Sequence, residues 1–141
     1  MLHLEPLARA SGALRSALVR CAQAPHDDLL RDGCIQRFER SYELAWKMSK
    51  RQLEVSAADP VAVDRLSFRD LIRAGGEAGL VRGELTKWLG FRTARGTTSH
   101  VHDARKAALV LTAIPAFLAE AEDLLARLVA AQARGNPGQA G

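Results

Sequence analysis

The stretch from Trp88 to Asp103, WLGFRTARGTTSHVHD, concentrates the groups best suited to chemistry. Arg95 carries a planar, permanently charged guanidinium that can grip a phosphate through two parallel hydrogen bonds. His100 carries an imidazole whose ordinary pKa lies near neutrality, so it can take up or release a proton. An arginine that holds a phosphate and a histidine that moves protons are the minimum for cutting RNA without a metal. On an unbroken helix, residues five apart point roughly 140° away from each other, so this pair would diverge. Gly96 permits a break and a turn that could bring guanidinium and imidazole together. Trp88, Arg92, Arg95 and Ser99 follow steps of four, three and four, which an unbroken helix would align. Arg92, Thr98, Ser99 and His102 are the substrate-binding candidates around the pair. A plainer reading has Arg95 paired with a carboxylate and His100 capping a helix. Spacing alone leaves both open.

The run H-x-H-D from His100 to Asp103 invites a metal, but no further His or Cys stands at helical distance. His3 and His26 are remote, so neither a metal site nor a cofactor is expected. Upstream, Arg37, Glu39, Arg40, Tyr42, Glu43 and Trp46 share one segment. There the spacing predicts packing roles for Tyr42 and Trp46, and a solvated face on which Glu43 pairs with Lys47. No strand-flanked G-x-G-x-x-G, P-loop or Ser/His/Asp arrangement occurs, so those routes to nucleotide binding or acyl transfer are unsupported.

The elements that must position these residues are helices. Hydrophobic residues make up 48% of the 141-residue chain and aromatics only 5%. Its apolar set is dominated by Ala and Leu, which favours helix over sandwich or barrel. Leu4, Leu7, Ser11, Leu14, Leu18 and Cys21 draw one stripe. Asp27 or Asp28 can cap a second helix, from about 28 to 55, bearing Ile35, Phe38, Tyr42 and Ala45. Residues 55–66 read as a connection. Ser67 and Asp70 have capping-box spacing for a short helix that Gly75, Gly76 and Gly79 weaken and end. A further helix covers Glu84 to Arg95, and Gly96 breaks it. Asp103 caps a long last helix, striped by Ala107, Leu111, Ile114, Leu118, Ala121, Leu125 and Leu128, with a kink expected at Pro115. The fold expected is all-α: an up-and-down four-helix bundle with one broken helix pair, a single domain over 1–133 and a polar, flexible tail over 134–141.

The totals exclude other classes. Twenty Lys+Arg against sixteen Asp+Glu give a net charge of +4, compatible with RNA or phosphate but equally with a basic surface kept for solubility. Cys21 and Cys34 form no C-x-x-C pair and sit among apolar residues, so buried reduced thiols are expected. The longest uncharged run, Ala107 to Ala119, is too short to span a bilayer, and the N-terminus lacks a signal-peptide layout. The expectation is a cytoplasmic protein without a membrane partner.

Three blocks carry a family resemblance. The run RDGCIQRFERSYELAWK, Arg31 to Lys47, resembles the signature of the nucleotidyltransferase substrate-binding protein family. FRDLIRAGGEAGL, Phe68 to Leu80, is similar to that family's next block, and RGTTSHVHD, Arg95 to Asp103, to its R-N-x-T-S-H-x-Y-D motif. The similarity runs from about residue 5 to about residue 130. It implies a bundle akin to the C-terminal domain of kanamycin nucleotidyltransferase, and a homodimer with Arg95 and His100 of each chain near a shared groove. It also implies a separately encoded minimal nucleotidyltransferase as partner. The broader HEPN group uses an R-x4-6-H motif to cut RNA in toxin members, whose antitoxin adenylylates the Tyr two places after the motif His. This implies catalytic roles for Arg95 and His100. The chain departs from the pattern twice: Gly96 replaces the Asn, and His102 replaces the Tyr. Two functions follow as alternatives: a toxin-like metal-independent endoribonuclease, or a non-catalytic substrate-binding subunit of a two-component nucleotidyltransferase.

Overall fold

The structure is a computed structural model that describes residues 2–100 and 102–135. Six α-helices follow one another: α1 (Glu5–Gln23), α2 (Asp28–Ser56), α3 (Pro60–Asp64), α4 (Phe68–Glu77), α5 (Leu85–Thr97) and α6 (Ala104–Gly135). A 3-10 turn, Thr98–His100, joins α5 to the segment before α6. Helices α1, α2, α5 and α6 form the bundle, and α4 packs on α5 and α2. No strand occurs among the described residues. The short connection between α1 and α2 makes them antiparallel neighbours. Arg15 pairs with Glu122, and Gln132 reaches the Leu2 carbonyl at 3.0 Å, so α6 runs back along α1.

Polar caps start the helices where their spacing predicts. Asp27 Oδ1 accepts from the Leu29 and Leu30 amides at 3.0 and 3.2 Å. Ser67 Oγ accepts from the Asp70 amide at 3.2 Å, and Asp103 Oδ1 from the Arg105 amide at 2.9 Å. Each satisfies amides that the first helical turn leaves unpaired. The connection after α2 holds more order than expected: Asp59 caps α3, with Pro60 opening it. Gly75 and Gly76 lie inside α4, and the left-handed Gly79 (φ 76°) lets the Leu80 and Val81 amides fold back onto the Gly75 carbonyl at 2.9 and 3.2 Å. Helix α6 continues through Pro115 to Gly135, and residues 136–141 of the expected tail lie outside the described residues.

Gly96 does not break α5. The helix passes through it to Thr97 and tightens only at Thr98. Gly96 is the second-last residue of α5, where the end of the helix tolerates it, and the packing of Trp88, Phe91 and Ala94 holds the turns before it on the bundle.

The core is aliphatic with an aromatic centre. Phe117 of α6 meets Phe38 edge-on at 5.1 Å, Phe91 at 5.4 Å and Trp88 at 6.3 Å, with Tyr42 tilted at 6.2 Å. Cys21 and Cys34 are buried free thiols. Burial, and then the nearby Cys21, push the Cys34 thiol up to about 11, which keeps it protonated and unreactive. No helix among the described residues is long and apolar enough to cross a membrane.

Midway along α6 Glu120 is buried, 4% exposed, and reaches Arg82 at 3.4 Å and Lys87 at 3.6 Å. Gly83 makes this approach possible. A Cβ there would stand 2.9 Å from Glu120 Oε2 and 3.2 Å from Trp88 Nε1. Gly83→Ala should therefore destabilise the fold by about 1–3 kcal/mol, the usual range for overpacking. Urea unfolding followed by helical circular dichroism checks it; an unchanged midpoint would overturn this account.

Candidate functional site

Arg95 lies in the last turn of α5, one turn after Phe91, whose burial turns this face of the helix toward α2. Its Nη2 donates to Glu43 Oε1 at 2.5 Å and sits 3.4 Å from Glu39 Oε1. Its Nη1 donates to Thr98 Oγ1 at 3.3 Å. The Glu43 hydrogen bond is the main cause that raises the Arg95 pKa above its ordinary value. Arg95 thus pairs with a carboxylate, and Glu43 answers it rather than Lys47. The pair is partly solvated, so it contributes about 0–1 kcal/mol to stability. Its effect is to hold the guanidinium in one orientation.

Beside this ion pair a groove of about 520 Å³ opens between α2, the start of α4 and α5. Tyr42, Glu43 and Trp46 line it from α2, and Arg92, Arg95 and Gly96 from α5. Leu66 and Phe68 close the third side. Trp46 and Phe68 stack at 5.0 Å with 24° between their planes, and the Arg92 guanidinium lies 4.8 Å from the Phe68 ring centre. Two other grooves, of about 450 and 330 Å³, follow the α1–α2 seam and are lined by small residues and arginines, with Leu29 and Leu30 in the larger one. They lack a proton-transfer group.

The candidates separate. Arg92 and Arg95 share the groove; Thr98 is buried beneath Arg95, its hydroxyl donating to the Arg95 carbonyl at 2.8 Å. Ser99 is exposed and out of line with Trp88, because the chain leaves α-helical geometry at Thr98. Trp88, 2% exposed, belongs to the core. His100 and His102 are both exposed, with ring centres 6.3 Å apart. Among the described residues no contact joins Arg95 to His100; the 3-10 turn places His100 past the groove's end. His100 also does not cap α6, since Asp103 does. No group of three or more His, Cys, Asp or Glu able to hold a metal occurs among the described residues.

Sequence spacing missed the groove wall. Phe68 comes to Trp46 only because α3 folds the connection back, which no periodicity encodes. Tyr42 was legible as a buried aromatic but not as a wall residue. It is 7% exposed, and its hydroxyl makes no hydrogen bond among the described residues. Burial pushes its phenol up to about 12, opposed by Arg92 and Arg95. A raised phenol pKa means the folded state keeps its proton more tightly than the unfolded chain does. The associated stability is whole below pH 10 and is lost as pH rises through about 12. Tyr42 is the one tyrosine of the chain. Absorbance at the tyrosinate band should therefore stay flat near pH 10 in native protein and rise there in urea; a native midpoint near 10 would contradict the burial.

With this geometry in hand, comparison with known proteins places the chain. It is 41% identical over 101 residues to a protein of Haemophilus influenzae (strain ATCC 51907 / DSM 11121 / KW20 / Rd) named probable ribonuclease HepT, covering 72% of this chain and 68% of that one. It superposes with a TM-score of 0.84 and 34% identity on the solved structure of HI0074 from the same species, described as the fold of a substrate binding domain of a nucleotidyltransferase. That match covers 89% of this chain and 98% of the other. Residues 2–130 match the family described as nucleotidyltransferase substrate binding protein like, and the chain belongs to that family.

Proposed function

We propose that this chain is a HEPN-type, metal-independent endoribonuclease that acts as the toxin partner of a separately encoded minimal nucleotidyltransferase. The observation that carries it is the fixed Arg95 guanidinium at a groove's edge, followed five residues on by the exposed imidazole of His100. The relative named probable ribonuclease HepT supports it. In the reaction, the ribose 2′-oxygen attacks the adjacent phosphorus and the 5′-oxygen leaves, giving a 2′,3′-cyclic phosphate and a 5′-hydroxyl end. Arg95 offsets the negative charge that builds on the phosphoryl oxygens. His100 takes the 2′-hydroxyl proton or returns one to the leaving oxygen. One imidazole cannot do both in a single step, which suits a homodimer with two His100 side chains facing a shared cleft. Leu109, 65% exposed in the second turn of α6, offers apolar surface for that association. The proposed setting is the cytoplasm.

Control by adenylylation of the motif tyrosine has no acceptor at position 102, where the imidazole lacks a phenolic oxygen. The second reading, a non-catalytic subunit that presents substrate to the nucleotidyltransferase, is favoured by the neutralisation of Arg95 through Glu43 and Glu39 and by the description of HI0074.

RNA cleavage by the purified protein separates the readings. His100→Ala should lower cleavage by at least about 100-fold, the lower end for a lost general acid or base. Arg95→Lys should be severely impaired because an ammonium cannot reproduce the forked grip. His102→Ala should keep much of the activity. Cleavage that persists in His100→Ala, or is absent from the parent across varied RNAs, would sink the ribonuclease reading. Sedimentation at micromolar concentration should show a dimer, and a monomer alone would remove the shared-cleft arrangement.

A further inference from the structure

The groove beside Arg95 is built unlike a simple phosphate grip. One wall is a near-parallel aromatic pair, Trp46 and Phe68, and the Arg92 guanidinium already lies over the Phe68 ring. Arg92 and Trp46 thus both pack on the Phe68 ring, which fixes the Trp46 indole and sets a guanidinium beside it. Tyr42 lines the same groove, its ring packed into the core and its hydroxyl without a hydrogen-bond partner among the described residues. The hydroxyl is therefore free to donate to, or accept from, a group that enters the groove. Glu43 spends one carboxylate oxygen, Oε1, on Arg95 and Glu43 Oε2 is left as an acceptor at the groove's edge. Gly96 leaves the rim open, with nothing within 4 Å of where its Cβ would stand.

We propose that this groove is a nucleobase subsite: a purine with an exocyclic amino group stacks on the half-buried Trp46, which Phe68 backs, Glu43 accepts its amino hydrogen, and Tyr42 hydrogen-bonds its edge. Aromatic faces accept any base by stacking, so the carboxylate and the hydroxyl supply the preference. The attached phosphate then falls to Arg92 and Arg95. This rests on the ribonuclease reading for the longer RNA that would occupy it, and it makes that enzyme selective for the base next to the scissile bond.

The test uses guanosine 5′-monophosphate, uridine 5′-monophosphate and ribose 5-phosphate on the full chain, none of which can be cleaved by the proposed reaction. Two tryptophans give two indole N–H signals in a nitrogen–proton correlation spectrum, and Trp46→Phe assigns them. The guanine nucleotide should shift the Trp46 signal saturably and leave that of the buried Trp88 in place. The uracil nucleotide should bind several-fold more weakly and ribose 5-phosphate should leave the signal unmoved. Tyr42→Phe should weaken the guanine nucleotide about fivefold, the effect of one hydrogen bond. Gly96→Leu adds a good helix former in open space and should abolish the shift while preserving helical content. Equal response to ribose 5-phosphate, or no movement of the Trp46 signal, would overturn the subsite. Saturable guanine binding by a protein that cuts no RNA would uphold the subsite and reject the ribonuclease. RNA cleavage unaccompanied by any Trp46 shift would do the reverse.

Discussion

Phe117 is the contact on which bundle and site both depend. Its ring meets two aromatic side chains of α2 and two of α5, most of them edge-on, the arrangement that ring quadrupoles favour. A chain with seven aromatic residues commits five of them to this cluster. The result is that α5 cannot slide along α2 without breaking several ring contacts at once. Phe91 lies one turn before Arg95, and Tyr42 directly precedes Glu43. The Arg95–Glu43 ion pair is therefore the solvent-side edge of the aromatic centre, and its geometry is inherited from the core.

The remaining two aromatics, Trp46 and Phe68, make the groove wall. Their stacking needs α4 to begin beside α2, and the capped α3 turn and Ser67 bring the chain back to that point. Trp46 is one turn beyond Tyr42 on the same helix, so a single stretch of α2 supplies the core contact, the carboxylate and the wall. That economy explains why the densest family block of the sequence, Arg31 to Lys47, coincides with the helix that touches every part of the site.

How much was legible follows from what each feature depends on. Helices α1, α2 and α6 announced themselves through three-and-four spacing, and Asp27, Ser67 and Asp103 cap where sequence says they should, because both signals are local. The fate of Gly96 was not local. Its propensity argued for a break, but Phe91 and Ala94 of α5 before it and Thr98 of the 3-10 turn after it are buried, and the backbone stays helical one residue past it. Glu43 illustrates the same limit: Lys47 is its neighbour in sequence, but Arg95 is 52 residues away and brought close only by the packing of α5 on α2. Arg95 and His100 were readable as a pair by residue type; their separation by the 3-10 turn was not.

The two departures from the family motif fall where the fold makes no demand. A side chain at 96 would meet nothing within 4 Å, and His102 is exposed. Neither position is held by packing, so neither substitution disturbs the helices that carry Arg95 and His100. Chemistry at the surface can thus drift while the aromatic centre keeps the scaffold constant, which is why membership of the family follows from the bundle and activity does not. What the scaffold does enforce is the pairing of Arg95 with two carboxylates. A guanidinium so held is already oriented, and an incoming phosphate must bind the hydrogens that Glu43 and Glu39 leave free or displace a carboxylate to gain more. Either route makes anion binding depend on what else the ligand contacts, and the nearest other contacts are the aromatic wall and Arg92. On the proposed subsite, bare phosphate would therefore bind less well than a ligand that carries a flat group beside its charge.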